Sequence, residues 1–270
     1  MKNVDLLIID PQEDFCNPKT GSLYVKGANE DMKRLALFLS QIHKKLRQIH
    51  VTLDQHHYID ISHPSYWRNK KGENPKPFTE ISHFDIKKEI WLPTNPGFKK
   101  IASRYTEILE QQKKYKLTIW PFHCIIGSPG ANITPVLFES LKEWENEKKK
   151  PIEYIRKGEN IHTEHYSALK PEVLDIYNPT NSSGRELINK LLETDIILLG
   201  GEAGSHCVLA TSLDIILYLE IIQREDTIKK IVLLKDTISP VPGYEKKQDE
   251  FIKEISKKGV QVTTTKDFLS

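Results

Sequence analysis

Short apolar runs alternate with longer amphipathic segments along most of this chain. The runs are typical of buried strands, and they lie at residues 4–9, 50–53, 152–156, 196–199, 231–234 and 260–263. Apolar side chains three and four positions apart predict helices at about 32–46, 97–112, 133–147, 186–192 and 248–255, with another beginning near residue 207. This alternation predicts an α/β fold, a three-layer αβα sandwich with a mostly parallel, Rossmann-like central sheet.

Polar residues mark two of the predicted helix starts. Asn29 is the expected N-cap of the helix that contains Met32, and Ser205 is the expected N-cap of the helix that contains Cys207. Such side chains accept a hydrogen bond from an amide of the first turn, which has no partner within the helix. We therefore expect these helices to begin directly after Asn29 and Ser205.

The segment after the second strand interrupts the alternation. Residues 66–115 are rich in Pro, Lys, Asn and Gly and have little periodicity apart from the helix at 97–112. They hold too few apolar residues for a core of their own. We therefore predict a single domain over residues 1–270 with a long insertion at about 66–115, of a length often found in lids and binding loops. The polar stretch 178–184 is predicted as a further loop.

The balanced charge and the short apolar runs argue against some kinds of partner. The 39 basic and 37 acidic residues give a formal net charge of +2, which gives no reason to expect nucleic acid or an anionic membrane. No apolar run is long enough to span a bilayer, and no signal peptide is recognisable, so a cytoplasmic protein is expected. The three cysteines argue against a disulfide scaffold and have no C-x-x-C spacing.

One cysteine stands in a context that favours reactivity. Residues 194–211 combine an apolar run, the pair Gly200 and Gly201, and an apolar helix whose first turn carries Cys207. Unpaired amides and the dipole at a helix start favour a thiolate. Two alternatives stay open here: a buried cysteine that only fills the core, and a glycine-rich turn that binds phosphate or a nucleotide.

Ionisable residues follow two further predicted strands. Asp10 follows the first strand and Lys157 the strand at 152–156, so with Cys207 they are expected at one edge of the sheet. Asp10 can take the thiol proton and later protonate a leaving amine, while Lys157 stabilises the thiolate. The amides of Ala203 and Cys207 can face a developing oxyanion. The alternative is a structural ion pair between Asp10 and Lys157.

A second set of residues has the chemistry of a metal site. Asp54 and His56 follow the second strand, and His123 lies further along the chain. One carboxylate and two imidazoles suit Zn²⁺, Fe²⁺ or Mn²⁺. Competing ligands among the ten histidines are His57, His63, His83, His162 and His165.

Several sequence blocks carry a family resemblance. In chain order they are LLIIDPQEDF, VTLDQH, WPFHCIIGSPGA, IRKG, HYSAL and GGEAGSHCVLAT. Together they resemble the motifs of the nicotinamidase/pyrazinamidase group within the isochorismatase-like cysteine hydrolases. The resemblance extends over both ends of the chain and most of the predicted sheet, and it implies an isochorismatase-like version of the α/β fold.

The resemblance also assigns roles to individual residues. It implies a catalytic triad of Asp10, Lys157 and Cys207, metal ligands Asp54, His56 and His123, and aromatic pocket walls Phe15 and Trp120. It further implies a cis peptide between Glu202 and Ala203 in the oxyanion turn. The chain departs from the family pattern in several respects, beginning with Ser128, which replaces Thr in the WPFHCIIGSPGA block. Glu202 replaces a small apolar residue, Gly204 replaces Thr, a fourth metal-site histidine has no match in register, and the insertion is unusually long.

The function implied is metal-assisted hydrolysis of nicotinamide to nicotinate and ammonia through a cysteine thioester, a step of NAD salvage. The expected cofactor is a divalent metal, zinc first and iron or manganese as alternatives. The expected partner is a small-molecule amide, and self-association into a homo-oligomer stays open. Two other interpretations compete: a metal-free or differently specific hydrolase of the same superfamily, and a non-catalytic flavodoxin-like module that binds an anion at residues 200–205.

Overall fold

The structure of the chain, a computed structural model, describes residues 2–112, 115–174 and 182–270. Its strands are β1 (Val4–Ile9), β2 (Leu46–Asp54), β3 (Trp67–Arg68), β4 (Glu80–Ile81), β5 (Leu92–Pro93), β6 (Leu117–Thr118), β7 (Glu153–Lys157), β8 (Ile196–Gly201), β9 (Ile231–Leu234) and β10 (Gln261–Thr263). Its helices are α1 (Glu13–Cys16), α2 (Ala28–Ile42), α3 (His83–Lys87), α4 (Lys99–Gln111), α5 (Pro135–Lys148), α6 (Ser182–Leu192), α7 (Cys207–Ile221), α8 (Glu245–Lys257) and α9 (Thr265–Leu269).

Six strands form one parallel sheet in the order β10-β9-β8-β1-β2-β7. Strand β1 lies inside the sheet, and Ile9 is in register with Gly201 of β8. On the other side, Asp54 at the end of β2 is in register with Lys157 at the end of β7. The predicted parallel sheet is thus confirmed, and its carboxyl edge gathers the residues that follow these strands.

Helices cover both faces of the sheet because the strand side chains alternate between two apolar layers. Leu6 and Ile8 of β1 belong to the layer under α2 and α5, which includes Met32 and Leu141. Leu7 and Ile9 belong to the opposite layer, under α6, α7 and α8. This arrangement is the predicted three-layer sandwich.

The insertion packs into a third apolar cluster, which it shares with Ile61, Leu117, Ile119 and Val173 from outside residues 66–115. The expectation that the insertion lacks a core of its own therefore stays a prediction. Two short antiparallel sheets, β3 with β5 and β4 with β6, contribute side chains to the cluster. The cluster includes the fully buried side chains of Tyr66, Trp67 and Tyr105. Large aromatic side chains bury enough area for a small core despite the low apolar content. The division into one domain with an insertion at 66–115 stays a prediction.

Both expected N-caps are wrong. Helix α2 follows Gly27, whose φ of 104° favours glycine. Oδ1 of Asn29 instead accepts a hydrogen bond from the Tyr24 hydroxyl at 2.7 Å. The N-cap position of α7 is His206, and the Ser205 hydroxyl instead accepts a hydrogen bond from the amide of Val241 at 3.0 Å.

The remaining expectations concern the end of one helix, the cysteines, one loop and membrane-spanning segments. The helix expected at about 32–46 ends at Ile42, and Leu46 begins β2. All three cysteines are free and buried, as expected without a disulfide scaffold. Residues 178–181 of the loop predicted at 178–184 lie outside the described residues, and residues 182–184 belong to α6, so that part of the loop prediction is wrong. No helix within residues 2–112, 115–174 and 182–270 is long and apolar enough to cross a lipid bilayer.

Candidate active site

Asp10 directly follows β1 and is held in an uncommon backbone conformation. Its φ is +41°, and its side chain is fully buried. The amide of Asp10 donates a hydrogen bond to Oγ1 of Thr52 at 3.0 Å, and the Thr52 hydroxyl donates back to the Asp10 carboxylate. The neighbouring strand β2 therefore fixes the orientation of this carboxylate.

Lys157 connects the other ionisable groups. Its Nζ lies 2.8 Å from Oδ2 of Asp10, 2.9 Å from Oδ1 of Asp54 and 3.6 Å from Sγ of Cys207. It also donates to the main-chain carbonyl of His165 at 3.0 Å. The ammonium is buried with both carboxylates, so their mutual attraction offsets the loss of hydration. The structure thus brings Asp10, Lys157 and Cys207 together, and their catalytic roles stay predictions.

Burial shifts the pKa of both Cys207 and Asp10. Burial raises the pKa of the Cys207 thiol well above its usual value, against the lowering effect of Lys157. Burial also raises the pKa of Asp10, again against Lys157. The expected preference for the thiolate at the helix start is therefore outweighed by burial in the free protein. A carboxyl with a raised pKa is suited to accept and return a proton.

The turn between β8 and α7 contains the residues predicted to form an oxyanion hole. The peptide between Glu202 and Ala203 is cis, as the resemblance implied. Gly201 has a φ of 118°, and a Cβ there would overlap with the main chain of Ile9, so only glycine fits. Cys207 is the first residue of α7, where no carbonyl of the helix can accept its amide hydrogen.

The predicted metal ligands converge on one point. Oδ2 of Asp54 lies 3.0 Å from Nε2 of His56 and 3.5 Å from Nε2 of His123. One ligand atom from each of these buried residues lies within 4.8 Å of the others, so they form a possible metal site. Nδ1 of His56 lies 3.1 Å from Oδ2 of Asp60, a partner of the kind that orients metal-bound imidazoles. A carboxylate and two imidazole nitrogens fit a zinc-type ion.

A buried carboxylate from α1 supports the third predicted ligand, His123. The backbone of Cys124 has a φ of +48°, and its amide donates to Oδ2 of Asp14 at 2.6 Å. The other oxygen of Asp14 accepts from the amide of Ser22 at 3.1 Å. Because Cys124 directly follows His123, this carboxylate fixes the turn that presents the imidazole.

Among the competing histidines, His63 lies nearest to the three ligands. Its ring centroid is 5.0 Å from those of both His56 and His123, and its Nε2 lies 3.1 Å from Nδ1 of His123. His57 is exposed, and His165 accepts from the amide of Gly158 at 3.2 Å. The remaining two lie elsewhere: His83 contacts the Ser103 carbonyl, and His162 contacts the Tyr66 hydroxyl.

A narrow cavity opens above these groups. Its lining contains the predicted pocket residues Phe15 and Trp120 together with Asp54, His123, Ala203 and Cys207. Four further lining residues were not predicted: Leu23, Tyr166, His206 and Val241. Tyr166 accepts a hydrogen bond from Nε1 of Trp120 at 2.9 Å, and the His206 ring packs edge-on against Trp120 at 5.3 Å. Tyr166 lies in the HYSAL block and His206 beside Cys207, whereas nothing local distinguishes Leu23 or Val241.

No family model and no curated protein sequence matches this chain. Solved structures do match over nearly its whole length. The yeast nicotinamidase Pnc1p bound to the inhibitor nicotinaldehyde is 19% identical, with a TM-score of 0.65 over 97% of this chain and 99% of that chain. The pyrazinamidase of Pyrococcus horikoshii in complex with zinc is 17% identical, with a TM-score of 0.57 over 97% and 99%. An isochorismatase family protein from Desulfovibrio vulgaris is 14% identical, with a TM-score of 0.54 over 99% and 97%.

At these identities the likeness establishes the fold. The chain shares the isochorismatase-like α/β fold of nicotinamidases and pyrazinamidases, as the sequence blocks predicted. The same fold can carry different chemistry, so activity must be inferred from the site itself.

Proposed function

We propose that this chain is a nicotinamidase, which hydrolyses nicotinamide to nicotinate and ammonia through a thioester on Cys207. The observation that carries the proposal is the position of Lys157, whose buried ammonium contacts Asp10, Cys207 and Asp54 beneath one cavity. An ion pair that served only stability would not need a cysteine at the start of a helix or a cavity above it. Amidases of this fold that bind nicotinaldehyde or zinc support the choice of reaction.

The chain's own residues account for the proton transfers of amide hydrolysis. Asp10 takes the proton of the Cys207 thiol as Sγ attacks the carboxamide carbon, and the carbonyl oxygen becomes an oxyanion facing the amides of Ala203 and Cys207. Asp10 then gives its proton to the leaving nitrogen, so ammonia departs and a thioester remains. Water then loses a proton to Asp10 as it adds to the thioester carbon. The C–S bond breaks, Asp10 returns the proton to Sγ, and the acid product releases its proton to solvent and leaves as nicotinate.

Lys157 acts as an electrostatic partner in this scheme. At 3.6 Å from Sγ, its ammonium stabilises the thiolate that forms when Asp10 accepts the proton. It keeps its own proton throughout, because Asp10 and Asp54 lie within 2.9 Å of it. The negative charge therefore moves from Asp10 to Sγ of Cys207 while the Lys157 ammonium beside both keeps its positive charge.

Asp54, His56 and His123 would hold the metal, and their one carboxylate and two imidazoles favour zinc over iron or manganese. When bound, such an ion supplies a Lewis acid that can hold the pyridine nitrogen of the substrate. Phe15 and Trp120 are the proposed walls for the pyridine ring, since they line the same cavity as Cys207. A small aromatic amide fits this narrow, largely apolar lining better than an extended substrate does.

Ammonia release from nicotinamide tests the proposal. We expect release by zinc-loaded wild-type protein, loss of release in Cys207→Ala, and loss after chelation with recovery on adding zinc. Cys16→Ala is the matched control, because Cys16 is also buried and free but lies in α1 outside the cavity lining. Zinc-loaded wild-type protein that releases no ammonia from nicotinamide would refute the assignment. Release from a different amide alone would move the assignment to another hydrolase of this fold.

A further inference from the structure

A buried carboxyl group lies within the proposed oxyanion turn. Glu202 precedes Ala203, where the resemblance expects a small apolar residue, and its side chain is fully buried. Oε2 of Glu202 accepts a hydrogen bond from the amide of Ser239 at 3.2 Å. Among the described residues, Oε1 has no donor to accept from. A buried carboxylate oxygen without a donor is costly, and protonation removes that cost.

The neighbour of this carboxyl group is a second buried acid, Asp31 of α2. The Asp31 side chain is 2% exposed, pairs with the half-exposed Arg34 and accepts from the Ser239 hydroxyl at 2.5 Å. Asp31 thus has a cation and a hydroxyl donor as partners, whereas Glu202 has the amide of Ser239. Burial, then the charge and hydrogen bond of Asp31, raise the pKa of Glu202 well above its usual value. Two adjacent buried carboxyl groups cannot both ionise readily, so one shared proton is the stable arrangement.

Ser239 joins this pair to the turn from the other side. Its amide donates to Glu202, its hydroxyl donates to Asp31, and its carbonyl accepts from the amide of Gly204 at 2.8 Å. The amide of Glu202 itself donates to the carbonyl of Ile9 at 2.8 Å. The peptide of Ala203 is thus held between anchored residues on both sides.

We propose that Glu202 is a positioning residue of the oxyanion turn, whose carboxylic acid donates a hydrogen bond to the Asp31 carboxylate and so fixes the peptide of Ala203. The inference rests on the proposed function, since the turn matters for catalysis only if it faces an oxyanion. It adds a residue that touches neither substrate nor metal. It also explains how an ionisable residue is accommodated at a position expected to be small and apolar.

The proposal makes the geometry of the turn depend on one proton. The ionisable or charged groups facing Glu202 are Asp31 and Arg34 from α2 and Cys16 from α1. Losing the proton would leave two adjacent buried anions with one half-exposed guanidinium, and the contact would become repulsive. Because the pKa of Glu202 is raised, the contact is lost as the pH rises through that raised value.

Two variants test the positioning role through activity. In Glu202→Gln, the amide nitrogen can donate to Asp31 while the amide oxygen accepts from Ser239, so kcat at neutral pH should stay within about twofold of wild type. Glu202→Ala removes both contacts, and kcat should fall about 10- to 100-fold with KM little changed, because the misplaced turn affects mainly the oxyanion. Equal losses of kcat in the two variants, or retained kcat in Glu202→Ala, would overturn the proposal.

Infrared spectroscopy tests the shared proton without relying on activity. The wild-type minus Glu202→Gln difference spectrum at neutral pH should contain a carboxylic acid C=O band. Glu164→Gln is the matched control, because burial also raises the pKa of Glu164, and this substitution should leave the Glu202 band in place. A missing Glu202 band in active wild-type protein would refute this inference alone. Wild-type protein that hydrolyses no amide would refute the proposed function, while the band would still decide whether the pair shares a proton.

Discussion

Nζ of Lys157 lies 2.9 Å from Oδ1 of Asp54, whose other oxygen faces the two metal-site imidazoles. The same ammonium lies 2.8 Å from Asp10. A single buried cation therefore contacts both the carboxylate paired with the nucleophile and a proposed metal ligand. Removing this cation should disturb both halves of the site, whereas removing the nucleophile should leave the ion pairs intact.

The first prediction concerns Lys157→Met, which keeps the length of the side chain but removes the charge. Two buried carboxylates would lose their common partner, so the free energy of unfolding should fall by about 3–5 kcal/mol and ammonia release should be abolished. Urea unfolding and the ammonia assay measure the two effects. Lys170→Met is the matched control, since its pair with Asp214 at 3.0 Å is partly exposed and should contribute less than about 1 kcal/mol. Unchanged stability in Lys157→Met would contradict the central role of this cation.

The second prediction separates two adjacent histidines. His56 is buried against Asp54, whereas His57 is exposed. His56→Ala should raise the Kd for zinc more than about 100-fold, because losing even a residue that merely orients a ligand weakens binding 10- to 100-fold. His57→Ala should bind zinc as wild type does. Zinc titration with a competing chelator measures both, and equal affinities in the two variants would exclude His56 as a ligand.

Much of the site could be predicted because it lies at the ends of parallel strands. Asp10, Asp54 and Lys157 each follow or end a recognisable apolar run, and the carboxyl ends of such strands meet at one edge. The contact between Lys157 and Asp54 was not predicted, since it depends on the adjacency and register of β2 and β7. Periodicity identifies strands but does not give their order in the sheet.

The missed features have a common physical cause. Leu23 and Val241 line the cavity from loops far apart in the chain, and no local pattern marks them. The aromatic cluster to which the insertion contributes was not predicted, because a few large side chains, such as Trp67, bury as much area as many small ones. Glu202 stood out as a departure from the family pattern, but its partner Asp31 lies far away in sequence and could be identified only from the fold.

The third prediction concerns Gly130, which packs directly against the carboxylate of Asp14. A Cβ at residue 130 would overlap with this carboxylate, which holds the amide of Cys124 beside His123. Gly130→Ala should therefore destabilise the fold by about 1–3 kcal/mol and weaken zinc binding, because the His123 turn loses its anchor. Thermal unfolding and zinc titration measure these effects.

Gly97→Ala is the control for Gly130→Ala. Gly97 is exposed, and the nearest atom to its added Cβ would be the side-chain oxygen of Asn95 at 3.2 Å, which can move aside. This variant should keep wild-type zinc affinity. If Gly130→Ala also bound zinc as tightly as wild type, Asp14 would have no role in presenting His123.

The fourth prediction lies at the opposite edge of the sheet, where β1 begins. Asp5 is fully buried and accepts hydrogen bonds from Arg47 at 2.9 and 2.6 Å and from Thr194 at 2.9 Å. Burial alone would raise the pKa of Asp5, but these partners and His50 lower it from 3.8 to about 2. At neutral pH this shift corresponds to about 2 kcal/mol of stability, so Asp5→Asn should lower the free energy of unfolding by about that amount.

The lowered pKa of Asp5 determines how its stabilising effect changes with pH. Because the pKa of Asp5 is lower in the folded chain, its contribution is fully present above its usual pKa and is lost as the pH falls toward about 2. The difference in unfolding free energy between wild type and Asp5→Asn should therefore shrink on acidification, as measured by urea unfolding across that range. Glu193→Gln is the matched control, since Glu193 pairs with the same Arg47 but is 73% exposed, and it should leave stability nearly unchanged. A difference that stayed constant with pH would mean that Asp5 stabilises the fold by packing and neutral hydrogen bonds, and not through its charge.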